Sequence, residues 1–226
     1  MIDSRQLTDP NQTIFIALIT NRNDAHQYVF DVYQKGVKTF LVNYVPENCK
    51  ELKDACFLLV DNTLNALQTL ATHHRAQFEI PVIAITGSNG KSIVKEWLYQ
   101  LLKEDKVICR SPKSYNSQIG VPLSVLNLNE THQLAIFEAG ISQPGEMQKL
   151  EYIIKPTLGV FTSLGQAHDE GFIGRDQKYK EKWKLFVATE KVIVNKYDDP
   201  TLAFSESRAI TIGSGADCTG TRGSFR

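Results

Sequence analysis

Residues 79–102, EIPVIAITGSNGKSIVKEWLYQLL, constrain the fold more than any other stretch of the chain. Val82, Ile83, Ala84 and Ile85 form a short apolar run bounded by Pro81 and Gly87, the pattern of a strand buried on both faces in a parallel sheet. Gly87 and Gly90 allow a tight turn. From Lys91 onward Val94, Trp97, Leu98, Leu101 and Leu102 recur at helical spacing, which predicts a helix with those five on its packed face. A strand, a glycine turn and a helix in that order present free N–H groups and the positive end of a helix dipole, a setting for phosphate. Lys91 then neutralises phosphate charge, and the Ser92 hydroxyl stands where a Mg²⁺ ligand belongs. Where the full phosphate-loop pattern has its first glycine this chain has Ile85, leaving the shorter T-G-S-N-G-K-S of residues 86–92. Gly87, Ser88, Asn89, Gly90, Lys91 and Ser92 are the expected contacts of a nucleoside triphosphate. The bland alternative is an ordinary turn with a solvated lysine.

The rest of the composition narrows the class without choosing within it. The 226 residues suffice for one large or two modest domains. Lysine plus arginine and aspartate plus glutamate both number 25, so no global field recruits nucleic acid or an anionic membrane. Cys49, Cys56, Cys109 and Cys218 form no C-x-x-C pair and no metal spacing, which reads as reduced thiols. The opening MIDSRQLTDP lacks a basic-then-apolar signal, and no apolar run reaches membrane-spanning length. A soluble, cytoplasmic protein with no membrane insertion is expected.

Alternating strands and helices predict an α/β chain in two parts. Residues 1–78 form a small domain with strands at 13–19, 39–43 and 56–60 and helices at 25–35 and 64–75, the first closed by Gly36. Residues 79–216 form a second, mostly parallel-sheet domain. Its further strands are expected at 106–109, 134–138, 158–162 and 192–195, with a short helix at 120–128. Several of those strands end in polar residues, the pattern of a doubly wound sheet whose ligands sit beyond the carboxyl ends. Residues 217–226 are an atypical tail, and periodicity is already lost from Ile212.

Five motifs follow one another: residues 86–92, S-Y-N-S-Q-I-G-V-P-L from Ser114, F-E-A-G-I-S-Q-P-G-E from Phe137, S-L-G-Q-A-H from Ser163, and E-K-W-K-L-F from Glu181. In this order they resemble the Mur ligases. The wording is most similar to the members that add D-alanyl-D-alanine to UDP-N-acetylmuramoyl-tripeptide, above all to the ligase half of bifunctional ligase–alanine racemase proteins. The first domain is also similar to that family's UDP-binding unit, through Asp3-Ser4-Arg5 and Asn23-Asp24-Ala25-His26, where the usual sequence is Asp-Gly-His.

The resemblance implies ATP-dependent amide-bond formation through an acyl phosphate, with UDP-N-acetylmuramoyl-tripeptide and D-alanyl-D-alanine as substrates and ATP and Mg²⁺ as cofactors. Lys91, Glu138, His168 and Lys182 are implied as catalytic groups. Ser92, Glu138 and His168 are implied as metal ligands, and Ser4, Arg5 and Asn116 as substrate contacts. Two cations between γ-phosphate and carboxylate reduce the repulsion of two reacting anions. Lys182 falls 14 residues after His168, the place of the family's CO₂-carbamylated lysine. Its neighbours Lys178, Lys180 and Lys184 leave open a solvated basic helix face. His73 and His74 receive no role, and Trp97 and Trp183 are read as packing.

The resemblance also implies a third, Rossmann-like domain and more of the ATPase sheet than this sequence holds, so a truncation or frameshift is expected. Two other readings stay open: a non-catalytic fragment binding nucleotide or UDP-sugar, and a ligase resembling folylpolyglutamate synthetase.

Overall fold

A computed structural model describes residues 1–3, 5, 7–21, 23–165, 171–195 and 208–212. Its chain divides into two compact units, Met1–Leu70 and Ala71–Arg226.

The first unit runs β1 (Ile14–Ile16), β2 (Ile19–Thr20), β3 (Asn23–Asp24), α1 (Val29–Gln34), β4 (Thr39–Val42), β5 (Cys56–Leu59) and the start of α2 (Thr63–Arg75). β1, β4 and β5 form a parallel sheet in that order. Phe15 and Phe40 meet edge-on at 6.4 Å, and Phe40 stacks on Phe57 at 5.3 Å. Val29, Val32 and Val37 complete the core. The strand expected over 13–19 is interrupted because Leu18 N–H bonds to Ile16 O at 3.1 Å. Ile19 then begins a two-residue antiparallel pairing of β2 with β3. The helix expected over 25–35 opens as a 3₁₀ turn, Ala25–Tyr28, and becomes α-helical only at Val29.

The second unit runs β6 (Val82–Thr86), α3 (Lys91–Leu102), β7 (Ile108–Arg110), α4 (Gly120–Val125), β8 (Leu134–Glu138), α5 (Glu146–Ile154), β9 (Leu158–Phe161), α6 (Arg175–Trp183), β10 (Lys191–Asn195) and β11 (Ala209–Ile212). Six parallel strands lie in the order β11-β10-β9-β6-β8-β7. β8 shows why such strands read as unbroken apolar runs. Leu134 and Ile136 pack with Val94, Leu98 and Leu102 of α3, while Ala135 and Phe137 enter a second core with Met147, Leu150 and Phe186. The registers Ile85↔Glu138 and Thr86↔Phe161 bring the carboxyl ends of β6, β8 and β9 to one level. Among the described residues no helix is long and apolar enough to cross a membrane. Cys49, Cys56 and Cys109 are free thiols, the second of them exposed; Cys218 lies outside the described residues.

α3 requires a correction. Trp97 and Leu101, expected on its packed face, are 67% and 73% exposed. The apolar arc of the helix is wider than its contact with the sheet, and Ile93, Trp97 and Leu101 follow one another at i, i+4, i+8 on the outer side. Trp183, by contrast, packs between Tyr179 and Phe161, as read from the sequence.

Phe137→Ala, which empties a fully buried position, should cost about 3–5 kcal/mol. Trp97→Ala should change stability by about 0.5 kcal/mol or less. Urea unfolding of both variants checks the pair; a large loss at Trp97 would contradict its outward orientation.

Candidate active site

β6 delivers the chain into a turn with two glycines at positive φ, Gly87 at 139° and Gly90 at 82°. At Gly87 the constraint is also spatial. A Cβ there would collide with Thr162 Oγ1 and stand 2.9 Å from the Ser163 amide nitrogen. The turn is stitched to the segment beyond β9: Ser88 N–H donates to Ser163 O at 2.6 Å and Ser88 Oγ to Gly165 O at 3.0 Å. The Thr162 hydroxyl reaches Thr86 O at 3.2 Å. α3 starts immediately after Gly90, and no side chain caps its N-terminus, so its first N–H groups are left for other acceptors.

Lys91 folds back over the turn, donating from Nζ to Gly87 O at 2.9 Å and Ser88 O at 3.3 Å. Burial lowers its pKa, Glu138 opposes that fall and Lys178 adds to it. Ser92 Oγ donates to Glu138 Oε2 at 3.0 Å. Having given its one proton to the carboxylate, Ser92 must accept from Ser114 Oγ, 3.1 Å away. Asn116 Nδ2 stands 3.5 Å from the same Oε2, and the Asn116 carbonyl accepts from Gly140 N–H at 2.7 Å. Ser92, Glu138 and Asn116, all singled out in the sequence, therefore converge on one carboxylate oxygen.

α6 brings two more ammonium groups to the turn. Lys178 and Lys182, four residues apart, are 1% and 2% exposed, whereas Lys180 points outward. The basic face left open as solvated is thus split, with one side of the helix turned inward. Lys178 Nζ donates to Gly165 O at 2.6 Å and Lys182 Nζ to Gly87 O at 3.2 Å. Burial, reinforced by the charges of Lys91 and Lys178, pushes the Lys182 pKa down to about 7. Lys184, part-exposed, pairs with Glu181 at 2.6 Å.

The sequence reading passed over Lys95. It is completely buried and ion-paired with Glu138 Oε1 at 2.8 Å. The available signal was a lysine set between Val94 and Leu98 on the sheet-facing side of a helix. Ser4 and His168 lie outside the described residues. In the first unit Arg5 is exposed and forks onto Asp3, with Nε at 2.9 Å and Nη2 at 2.8 Å. The Arg5 hydrogen bonds hold the Asp3 carboxyl at about 2. Asp24 receives the His26 backbone N–H at 2.9 Å, the His26 ring Nδ1 at 2.6 Å and the Tyr44 hydroxyl at 2.7 Å. Asn43 N–H donates to His26 Nε2 at 3.0 Å, which places the ring proton on Nδ1. Ala25 keeps a negative φ, so this turn forms without glycine.

Residues 85–220, more than half of the chain, match the Mur ligase middle domain. The chain belongs to the Mur ligase family. Similar relatives are the UDP-N-acetylmuramoyl-tripeptide–D-alanyl-D-alanine ligases of Borreliella burgdorferi and Bacillus subtilis. The first is 34% identical over 88% of this chain and 44% of its own length; the second is 30% identical over 94% and 46%. Among solved structures, MurF from Acinetobacter baumannii superposes with a TM-score of 0.83 at 29% identity, covering 95% of this chain and 48% of that one. MurF ligase from Thermotoga maritima in complex with ADP gives 0.78 at 27% identity, covering 93% and 48%. This Mur ligase family chain thus spans less than half the length of these relatives.

Lys182 yields a pH prediction. Between about pH 7 and the ordinary 10.5 the unfolded chain holds a proton on Lys182 that the folded chain has released. Stability therefore rises with pH across that window and is flat, at its penalised level, below it. Thermal melting of the wild type against Lys182→Met should show the wild type gaining on the variant from pH 7 upward. Parallel curves would mean that the ammonium is not desolvated.

Proposed function

We propose that this chain carries the nucleotide-activating part of an ATP-dependent ligase that joins D-alanyl-D-alanine to UDP-N-acetylmuramoyl-tripeptide through an acyl phosphate. One observation carries the reading. In a chain of the Mur ligase family, Lys91, Ser92 and Glu138 stand together at the carboxyl ends of β6 and β8, beside an uncapped helix N-terminus. The substrates are taken from the names of the relatives, and the nucleotide from the family and the ADP complex of the Thermotoga maritima protein. We assign residues 1–78 to the UDP-linked substrate and 79–216 to ATP.

Phosphoryl transfer to a carboxylate demands alignment and charge neutralisation more than covalent help. The turn's N–H groups and the α3 N-terminus supply fixed dipoles. Lys91 would exchange the Gly87 and Ser88 carbonyls for β- and γ-phosphate oxygens. The Ser92 hydroxyl and Glu138 Oε2, hard oxygens 3.0 Å apart, fit Mg²⁺, with His168 the expected ligand of a second ion. When bound, the ions would screen the nucleotide and the substrate carboxylate from each other. Lys182, with its pKa near 7, has a substantial neutral fraction at physiological pH. That is the form whose nitrogen lone pair attacks CO₂ and then loses a proton to become a carbamate anion. Asn116 would contact substrate beside the same carboxylate. Arg5 would exchange Asp3 for the diphosphate, and Ser4 would add a hydroxyl. ATP and a UDP-linked precursor favour a cytoplasmic reaction, and the similarity to bifunctional proteins favours a parent protein with a fused alanine racemase domain.

The test is nucleotide binding and phosphate release by the full chain. Lys91→Ala should weaken ATP binding at least tenfold. Phosphate release should require both UDP-N-acetylmuramoyl-tripeptide and D-alanyl-D-alanine. Lys182→Ala should abolish it, without rescue by added bicarbonate. Nucleotide binding with no turnover would favour a non-catalytic binding unit, and full activity in Lys182→Ala would remove that lysine from the mechanism.

A further inference from the structure

Lys95 lies one helical turn after Lys91 and has no exposed surface. Nothing about packing α3 on the sheet calls for a charge there, since Val94, Leu98 and Leu102 do that work with apolar groups. A buried ion pair is a weak source of stability compared with apolar residues of similar volume. Its geometry offers another reason for it.

Three elements meet at the Lys95 ammonium. Nζ stands 2.8 Å from Glu138 Oε1, an ion-pair contact whose angles fall outside the hydrogen-bonding range. Two of its protons go to backbone carbonyls of the loop after β7, to Ser111 O at 2.9 Å and to Lys113 O. Glu96 Oε1 is 3.4 Å away and its other oxygen pairs with Arg110. The same loop is tied again to β8, because Glu138 N–H donates to Ser111 Oγ at 3.1 Å and Ser111 N–H to Ile136 O at 3.1 Å. Beyond it come Ser114 and Asn116, whose side chains reach Ser92 and Glu138 Oε2. The two oxygens of Glu138 therefore have different surroundings: Oε1 faces the lysine, and Oε2 faces Ser92 and Asn116.

We propose that Lys95 is a positioning residue of this site: by engaging Glu138 Oε1 together with the Ser111 and Lys113 carbonyls, it turns Oε2 toward Ser92 as the metal-facing oxygen and keeps Ser114 and Asn116 beside it. The inference rests on the reading of Ser92 and Glu138 as magnesium ligands. Lys95 itself touches neither nucleotide nor metal.

The experiment is a Mg²⁺ titration of fluorescent-ATP binding to the full chain, with a parallel measurement in EDTA and a melting curve for each variant. Lys95→Met should raise the half-saturating Mg²⁺ at least tenfold while affinity in EDTA stays within threefold. Glu138→Gln should give a loss of similar size, and Lys95→Met added to Glu138→Gln should change it less than twofold, because the lysine acts through that carboxylate. A purely structural lysine would lower the melting temperature and leave the Mg²⁺ dependence in place, which overturns the proposal. If Lys95→Met does not melt cooperatively, Lys95→Arg decides. Its planar fork cannot reproduce a point ammonium between two carbonyls and a carboxylate, so at least a threefold rise in half-saturating Mg²⁺ is expected. Wild-type Mg²⁺ dependence in that variant overturns the proposal as well. A wild-type chain whose nucleotide binding ignores Mg²⁺ refutes the metal reading instead.

Discussion

The position of β6 between β8 and β9 governs the second unit. A parallel ladder brings successive strands to their carboxyl ends on the same side, and the registers Ile85↔Glu138 and Thr86↔Phe161 bring these three ends level. A carboxylate from β8 and a hydroxyl just past β9 then meet the turn that leaves β6. The turn has to pass Thr162 and Ser163 so closely that only a glycine fits at Gly87. Once it has passed, Gly90 in the left-handed region starts α3 with its N–H groups uncapped. Chemistry at this edge of the sheet follows from strand order, with the loops supplying the details.

Much of that could be read from residues 79–102, because an apolar run, two glycines and a helical repeat each have a local physical meaning. The same rules misplaced Trp97 and Leu101. Helical periodicity says that residues share an arc, but the width of the buried part is set by the sheet, which here takes Val94, Leu98 and Leu102 and leaves the neighbouring stripe outside. β11 was missed because residues 209–212 form a strand by pairing with β10, a partner that local pattern does not reveal. α5, with its buried Met147, Leu150, Ile153 and Ile154, is a further helix beyond those expected from the sequence. Of the site, Lys91 and Ser92 were marked by residue type and spacing, and Glu138 by the family resemblance. Lys95 was not, since a lysine in a helix is ordinarily solvated and only tertiary structure shows its carboxylate.

Charge at the site is arranged unevenly. Lys91, Lys178 and Lys182 gather over the carbonyls of Gly87, Ser88 and Gly165, while Glu138 is held by Lys95 on its other side. Crowded cations surrounded by low-dielectric protein raise the cost of adding one more proton, and Lys182 shows the result, with burial the larger cause and its two neighbours the smaller. The same crowding favours a polyanion, whose charge would relieve repulsion among groups already fixed in place. Fixed donors need no reorganisation when charge develops near them.

What decides which lysines enter that cluster is the rotation of α6 about its own axis. Composition cannot decide it, because lysines at 178, 180, 182 and 184 cover most of the helix. Glu181 helps to. Its Oε1 accepts the Gly145 N–H at 2.7 Å, at the start of α5, and its Oε2 takes Lys184 at 2.6 Å. With Glu181 tied to that backbone, the i, i+4 pair Lys178 and Lys182 is turned toward the glycine turn and Lys180 toward water. A carboxylate with no expected role in the chemistry thus works with two aromatic side chains of the same helix to set which ammonium groups lose their solvent.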